Sequence, residues 1–182
     1  MNVIDLIMQD HREVERLFDE LRAHPEKRQG LVPVLTTLLV AHSRAEEAEV
    51  YPVAAEAGGA DDVEHSQEEH LLADQLLEEL ADTDPESAGF DGALQKLVDA
   101  VTHHVEEEES TVLPGLRTRL SEERLGELGD AFARARKERL GDQPGDMTKH
   151  DLEQQAENLG LQGMSGKSKQ QLESELAEHA DS

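Results

Sequence analysis

Two stretches of this chain carry the same phrase. His42-Ser-Arg-Ala-Glu46-Glu47-Ala-Glu-Val-Tyr-Pro52 and His104-Val-Glu-Glu-Glu108-Glu109-Ser-Thr-Val-Leu-Pro114 both read H-x3-E-E-x4-P. On an α-helix, residues i and i+4 leave one face a turn apart. Each phrase therefore offers an imidazole and a carboxylate able to converge on one point. Two further histidines, His11 and His70, stand in register with apolar residues of their own segments. Burying four imidazoles and two carboxylates without partners would cost roughly 1–3 kcal/mol for each unsatisfied group. A metal removes that cost by taking up their lone pairs. Imidazole mixed with carboxylate suits iron, manganese or zinc, and carboxylates able to bridge favour a pair of ions.

Helices must position these groups. Ile4, Ile7, Val14, Phe18 and Leu21 are spaced three and four apart within a first segment from about Val3 to Ala23, and His11 fills the gap in that stripe. A second helix is expected over Leu31 to Ala57, with Pro33 near its start, where Leu35, Leu38, His42, Ala45, Glu46 and Glu49 share a stripe. A third spans about Asp61 to Ala81, capped by Asp61 or Asp62, with Val63, His70 and Leu77 seven apart. The fourth, from Phe90 to Leu116, aligns Phe90, Leu94, Leu97, Val101, His104, Glu108 and Thr111. Ser121 can cap a fifth helix that ends near Leu140. The expected organisation is all-α: a bundle over residues 1–140, a linker over 141–146, and a flexible acidic tail over 147–182. The tail contains two short helical patterns joined by a loop from Gly160 to Lys167.

The order His, H-x3-E, His, H-x3-E resembles the hemerythrin-like (HHE cation-binding) domain family, over about Val3 to Leu116. The resemblance implies an up-down-up-down four-helix bundle. It implies His11, His42, His70 and His104 as terminal iron ligands, with Glu46 and Glu108 bridging two iron ions that share an oxo or hydroxo group. Ferritin-like di-iron proteins match less well, because they use Glu-x-x-His spacing. Oxygen-carrying members of the resembled family have a fifth histidine, and no residue here takes its place plainly. Tyr51, five residues after Glu46, and His65, five before His70, are the candidates. His65 lies about 140° around the helix from His70. Glu47, Glu49 and Glu109 read as solvated helix faces, and His103 as a surface residue. The function implied is binding or sensing of O2, peroxide or nitric oxide, with peroxide decomposition as a further expectation. An iron-storage or iron-sensing module without turnover is the alternative, and a metal-free structural bundle is the third reading.

Composition narrows the classes. Aromatic residues make up 2% of 182, too few for the usual sheet core, so Leu, Val and Ala must pack helices. The formal net charge of −25 opposes binding to phosphate backbones or anionic membranes. Without cysteine there are no disulfides and no thiolate metal sites. The N-terminus lacks a basic stretch before an apolar run, and no apolar stretch approaches the roughly 20 residues of a membrane span. The expectation is a cytoplasmic protein. The tail resembles helix–loop–helix modules of the Rho N-terminal or SAP type, and its acidity favours protein docking, or no independent role, over nucleic-acid binding.

Overall fold

The side chain of Asn2 accepts a hydrogen bond from the Asp5 N–H and so opens α1 (Val3–Ala23). In the computed structural model, which describes residues 1–181, every regular element is helical. Ser182, the last residue of the expected tail, lies outside the described residues. After a 3-10 turn at Pro25–Lys27, α2 (Arg28–Ala45) begins three residues before the expected Leu31, which places Pro33 inside the helix on its exposed side.

The second helix is not regular to its end. A widened π turn at Glu46–Val50 leads into α3 (Tyr51–Ala54), and a second one at Ala55–Gly59 leads into α4 (Ala60–Asp82). Pro52 accounts for the first. It has no N–H for the carbonyl of Ala48 and its ring crowds that group, so the turn opens and Tyr51 N–H bonds to Glu46 O instead. Gly58, at φ +99°, makes the second bend, a conformation that side chains with a Cβ rarely adopt. Asp61 and Asp62 lie in the first turn of α4 rather than capping it, where their negative charge still complements the positive end of the helix dipole.

Pro114 has a different effect at the equivalent place. It would deny a donor to the carbonyl of Ser110, and the expected fourth helix divides there into α5 (Phe90–Ser110) and α6 (Val112–Arg119). Ser121 caps α7 (Glu122–Glu138) as its sequence implies, accepting from Arg124 N–H. Capping boxes at Thr148 and Ser168 start α8 (Lys149–Asn158) and α9 (Lys169–Ala180).

The core is four-helix-bundle-like. α1 packs on α2 and α7, α4 packs along α5, and α2 also meets α4 and α7. Gly129 of α7 lets the start of the chain pass closely, since a Cβ there would stand 2.5 Å from the backbone oxygen of Met1. Apolar side chains form two separate clusters. One contains Val14, Leu38, Leu77 and Val101, and the other Ile7, Val50, Val63 and Val112. On each helix the chemical residues fall between the two: His11 between Ile7 and Val14, His42 between Leu38 and Val50, His70 between Val63 and Leu77, His104 between Val101 and Val112. A polar belt thus crosses the bundle with a dry layer on either side.

The expectation of a flexible tail is corrected. Leu152, Ala156, Leu159, Leu172 and Leu176 close a third apolar cluster around Leu71 of α4, so α8 and α9 are docked on the bundle. Neither short helix can bury its apolar face alone, and α4 supplies the missing surface.

Candidate metal centre

All six groups singled out by spacing are buried, with exposures from 0 to 6%. Within the belt they form two overlapping sets. His11, His42, Glu46 and Glu108 bring ligand atoms within 4.8 Å of one another, and so do Glu46, His70 and His104. Glu46 belongs to both. Its Oε2 lies 3.2 Å from His42 Nε2 and 3.3 Å from His70 Nε2. Glu108 Oε2 lies 3.2 Å from His11 Nε2 and 3.8 Å from His104 Nε2. Atoms about 2.1 Å from one ion, at tetrahedral to octahedral angles, are spaced by about 3.0–3.4 Å.

The donor atoms also lack other uses. His11 Nε2, His42 Nε2 and both oxygens of Glu46 and Glu108 are buried without a hydrogen-bond partner. His70 Nε2 and His104 Nε2 face each other at 3.1 Å. The opposite edge of each ring is tied down. His11 Nδ1 bonds to Glu109 at 2.8 Å, His42 Nδ1 to Asp10 at 3.1 Å, His70 Nδ1 to Glu47 at 3.1 Å and His104 Nδ1 to Glu69 at 2.8 Å. A carboxylate accepts only, so each Nδ1 carries a proton and each Nε2 is the atom turned to the centre, where a metal would take its lone pair in place of any proton. Orphaned oxygens, inward ring nitrogens and hard-to-intermediate donors fit a pair of first-row metal ions.

Tyr51 is brought to the site. The widened turn makes five residues close one turn, so Tyr51 comes round to the face of Glu46, and its hydroxyl stands 3.0 Å from His70 Nε2. Burial and the surrounding glutamates push its phenol well above its ordinary range, so it keeps its proton in the metal-free chain. His65 is not brought to the site, which corrects it as a candidate for the inner coordination. Its position on the far side of α4 places it at the surface with Glu69, His103 and Glu107.

Burial opposes charge on His42, but Glu46 and Asp10 outweigh it and raise the imidazole to about 10. Burial likewise opposes charge on His70, and Glu46 with Glu47 raises it to about 10. Glu46, despite burial, is held well below the usual carboxylate range by His42 and His70. Both imidazoles are therefore protonated at neutral pH in the metal-free chain. A folded value above the unfolded 6.5 stabilises the fold fully below pH 6.5 and ceases to do so as pH rises through about 10. For Glu46 the window is the reverse: its contribution is present above about 4.5 and is lost as pH falls. Metal must displace both imidazole protons, and Glu108, against the effect of burial, raises His11 as well, so anaerobic Fe2+ titration at pH 7 is expected to release at least about two protons per chain. Calorimetry in buffers of different ionisation enthalpy reads that number directly, and a slope of zero would contradict the protonation assigned here.

The sequence model of the hemerythrin HHE cation binding domain matches residues 2–116, which contain every one of these ligand atoms. The chain belongs to the hemerythrin family. It is 33% identical to a protein named DNA nickase from Nostoc sp., over 79% of this chain and 42% of that one, so it spans about two fifths of that relative's length. It is 26% identical to an uncharacterised hemerythrin-like protein of Schizosaccharomyces pombe, over 74% of this chain and 69% of the other. No solved structure matches it.

In this hemerythrin-family chain, spacing alone misses the carboxylates behind the rings. Glu47 and Glu109 read as solvated faces, yet Glu47 is 3% exposed. A signal was present: an acidic residue adjoins four of the six inner positions, as Asp10-His11, Glu46-Glu47, Glu69-His70 and Glu108-Glu109. Each serves a ring on a different helix, which no single-helix pattern can reveal. The appended helices complete the set. Arg136 of α7 grips Asp10 through two bonds of 2.6 and 2.7 Å, and Phe132 lies edge-on to His42. Gln155 of α8 donates to Glu47 at 3.0 Å, and Asn158 donates to the Glu47 backbone and to Gln67.

Proposed function

We propose that this chain is a cytoplasmic non-haem di-iron protein that binds or senses O2, peroxide or nitric oxide, with an up-down-up-down four-helix core. His11, His42, His70 and His104 would hold the two ions with Glu46 and Glu108 between them. The observation carrying this reading is the inward convergence of ligand atoms without hydrogen-bond partners, each ring fixed from behind by a carboxylate. Bound iron would supply redox chemistry and open positions for a small ligand. The chain's own residues would set the conditions. Leu, Val and Ile on both sides of the belt exclude water, and Tyr51 holds a hydroxyl proton at the site as a hydrogen-bond donor. No fifth histidine stands there, which leaves more exchangeable positions than in oxygen-carrying members. Among the described residues, no helix is long and apolar enough to cross a membrane.

Purification from iron-rich medium, with iron content and the near-ultraviolet spectrum measured on one sample, tests the proposal. About two iron ions per chain are expected, with an absorption band that shifts on adding azide or peroxide. Iron-free protein would end this reading. A second reading, iron sensing without turnover, draws on the docking of α8 against Glu47, which holds His70. A spectrum blind to azide, together with chelation that exposes α8 and α9 to protease, would favour it. The activity in the Nostoc relative's name is a poorer guide, because a chain with net charge −25 repels phosphate backbones and that relative extends well beyond the shared region.

A further inference from the structure

A second group of ligand-type side chains lies on the outer face where α4 meets α5. His65 and Glu69 are four apart on α4, and His103 and Glu107 are four apart on α5. Both pairs repeat the i, i+4 imidazole–carboxylate spacing of the inner belt, and the second sits one residue before the His104 phrase. A one-residue shift turns a helix position by about 100°, which moves these groups from the core to the surface. Their ligand atoms all lie within 4.8 Å of one another.

The distances resemble a coordination shell. His65 Nε2 and His103 Nε2 each stand 3.4 Å from Glu69 Oε1, and His103 Nε2 stands 3.4 Å from Glu107 Oε1. A tetrahedral ion with ligands at about 2.1 Å spaces them by about 3.4 Å. His65 Nε2 stands closer, at 2.8 Å, to the other oxygen of Glu107, Oε2. Surface imidazoles beside glutamates could merely be exposed ion pairs, worth little. Glu69 argues against that. Its side chain is 10% exposed, its Oε2 is committed to His104 Nδ1 at 2.8 Å, and its Oε1 is buried without a hydrogen-bond partner while aimed between the two surface rings.

We propose that His65, Glu69, His103 and Glu107 form a separate mononuclear site for a divalent transition-metal ion, of the Zn2+, Co2+ or Fe2+ class. Two imidazoles and two carboxylates are the donor set such ions take, and they lack the all-oxygen surroundings that Ca2+ or Mg2+ needs. The site is open to solvent, with His65 52% and His103 61% exposed at the side chain, so an ion can enter without the fold opening. It stands on its own residues and does not depend on what the inner belt binds. Glu69 nevertheless ties it to the inner His104 ring.

Zn2+ titration of the full metal-free chain, followed by calorimetry and by metal content after equilibrium dialysis, tests this. The native chain is expected to bind one equivalent more than H65A/H103A, whose exposed side chains can be removed without unfolding, as circular dichroism will register. A control variant, H24A/H150A, removes two histidines remote from the site and is expected to match the native chain. Three equivalents falling to two supports both the surface and inner sites. One falling to none supports the surface site and counts against the inner one. Equal stoichiometry and affinity in native and H65A/H103A protein overturns the surface site, as does an equal loss in the control.

Discussion

The double variant H42A/H104A is expected to contain essentially no iron after expression in iron-rich medium, while keeping its helical circular dichroism. Each substitution removes one imidazole from a different one of the two overlapping sets, His42 beside Glu46 at 3.2 Å and His104 opposite His70 at 3.1 Å. Loss of a group that only orients a ligand lowers metal affinity about 10- to 100-fold. Loss of the ligand exceeds that, and it occurs here in both sets. The fold should survive, because the apolar clusters above and below the belt are complete without either ring. The measurement is iron per chain by elemental analysis, beside the native protein. A double variant with full iron occupancy would remove the ligand assignment altogether.

The largest effect on stability is expected from Glu47→Ala. Its carboxylate accepts from Arg44 at 2.9 and 3.1 Å, Gln67 and Gln155 at 3.0 Å, and His70 Nδ1 at 3.1 Å. Burial works against its charge, yet Arg44 and His70 hold it down at about 2. Arg44 is 4% exposed, so truncating Glu47 leaves a buried guanidinium with one carboxylate, Asp74, in place of two. Removing one partner of a buried ion pair costs about 3–5 kcal/mol. The remaining Asp74 places this case near the lower end, about 3 kcal/mol. Two amides and the back of the His70 ring lose their acceptor as well, so α8 should loosen and metal affinity fall. Denaturant unfolding of the metal-free chain measures the stability change. Glu49→Ala, two residues on and only half-buried, is expected to stay within about 0.5 kcal/mol. If both variants unfold at the native midpoint, Glu47 does not join the tail to the centre as described.

Much of this was legible in the one-dimensional pattern. Apolar residues at three- and four-residue steps located the bundle helices to within a few residues, and histidines on those same stripes marked the polar belt. The H-x3-E spacing selected Glu46 and Glu108 from long acidic runs, because only those two share a face with the preceding imidazole. The prolines were visible too, but not their effects: Pro52 widened a helix and carried Tyr51 round to the site, whereas Pro114 divided one. Backbone relief around a proline depends on what packs beside it, which local sequence does not encode.

Within each helix, then, sequence alone determined the apolar stripe and which pair of groups could share an ion, since helical periodicity is a property of consecutive residues. Only the tertiary structure decided which acid holds which ring. Asp10 serves His42, Glu69 serves His104, Glu47 serves His70 and Glu109 serves His11, each across a helix interface. It also decided that the tail docks, with Gln155 and Asn158 reaching a glutamate more than 100 residues earlier. Those partnerships arise from the packing of separate helices, and the spacing of residues along any one of them carries no information about its neighbour's register.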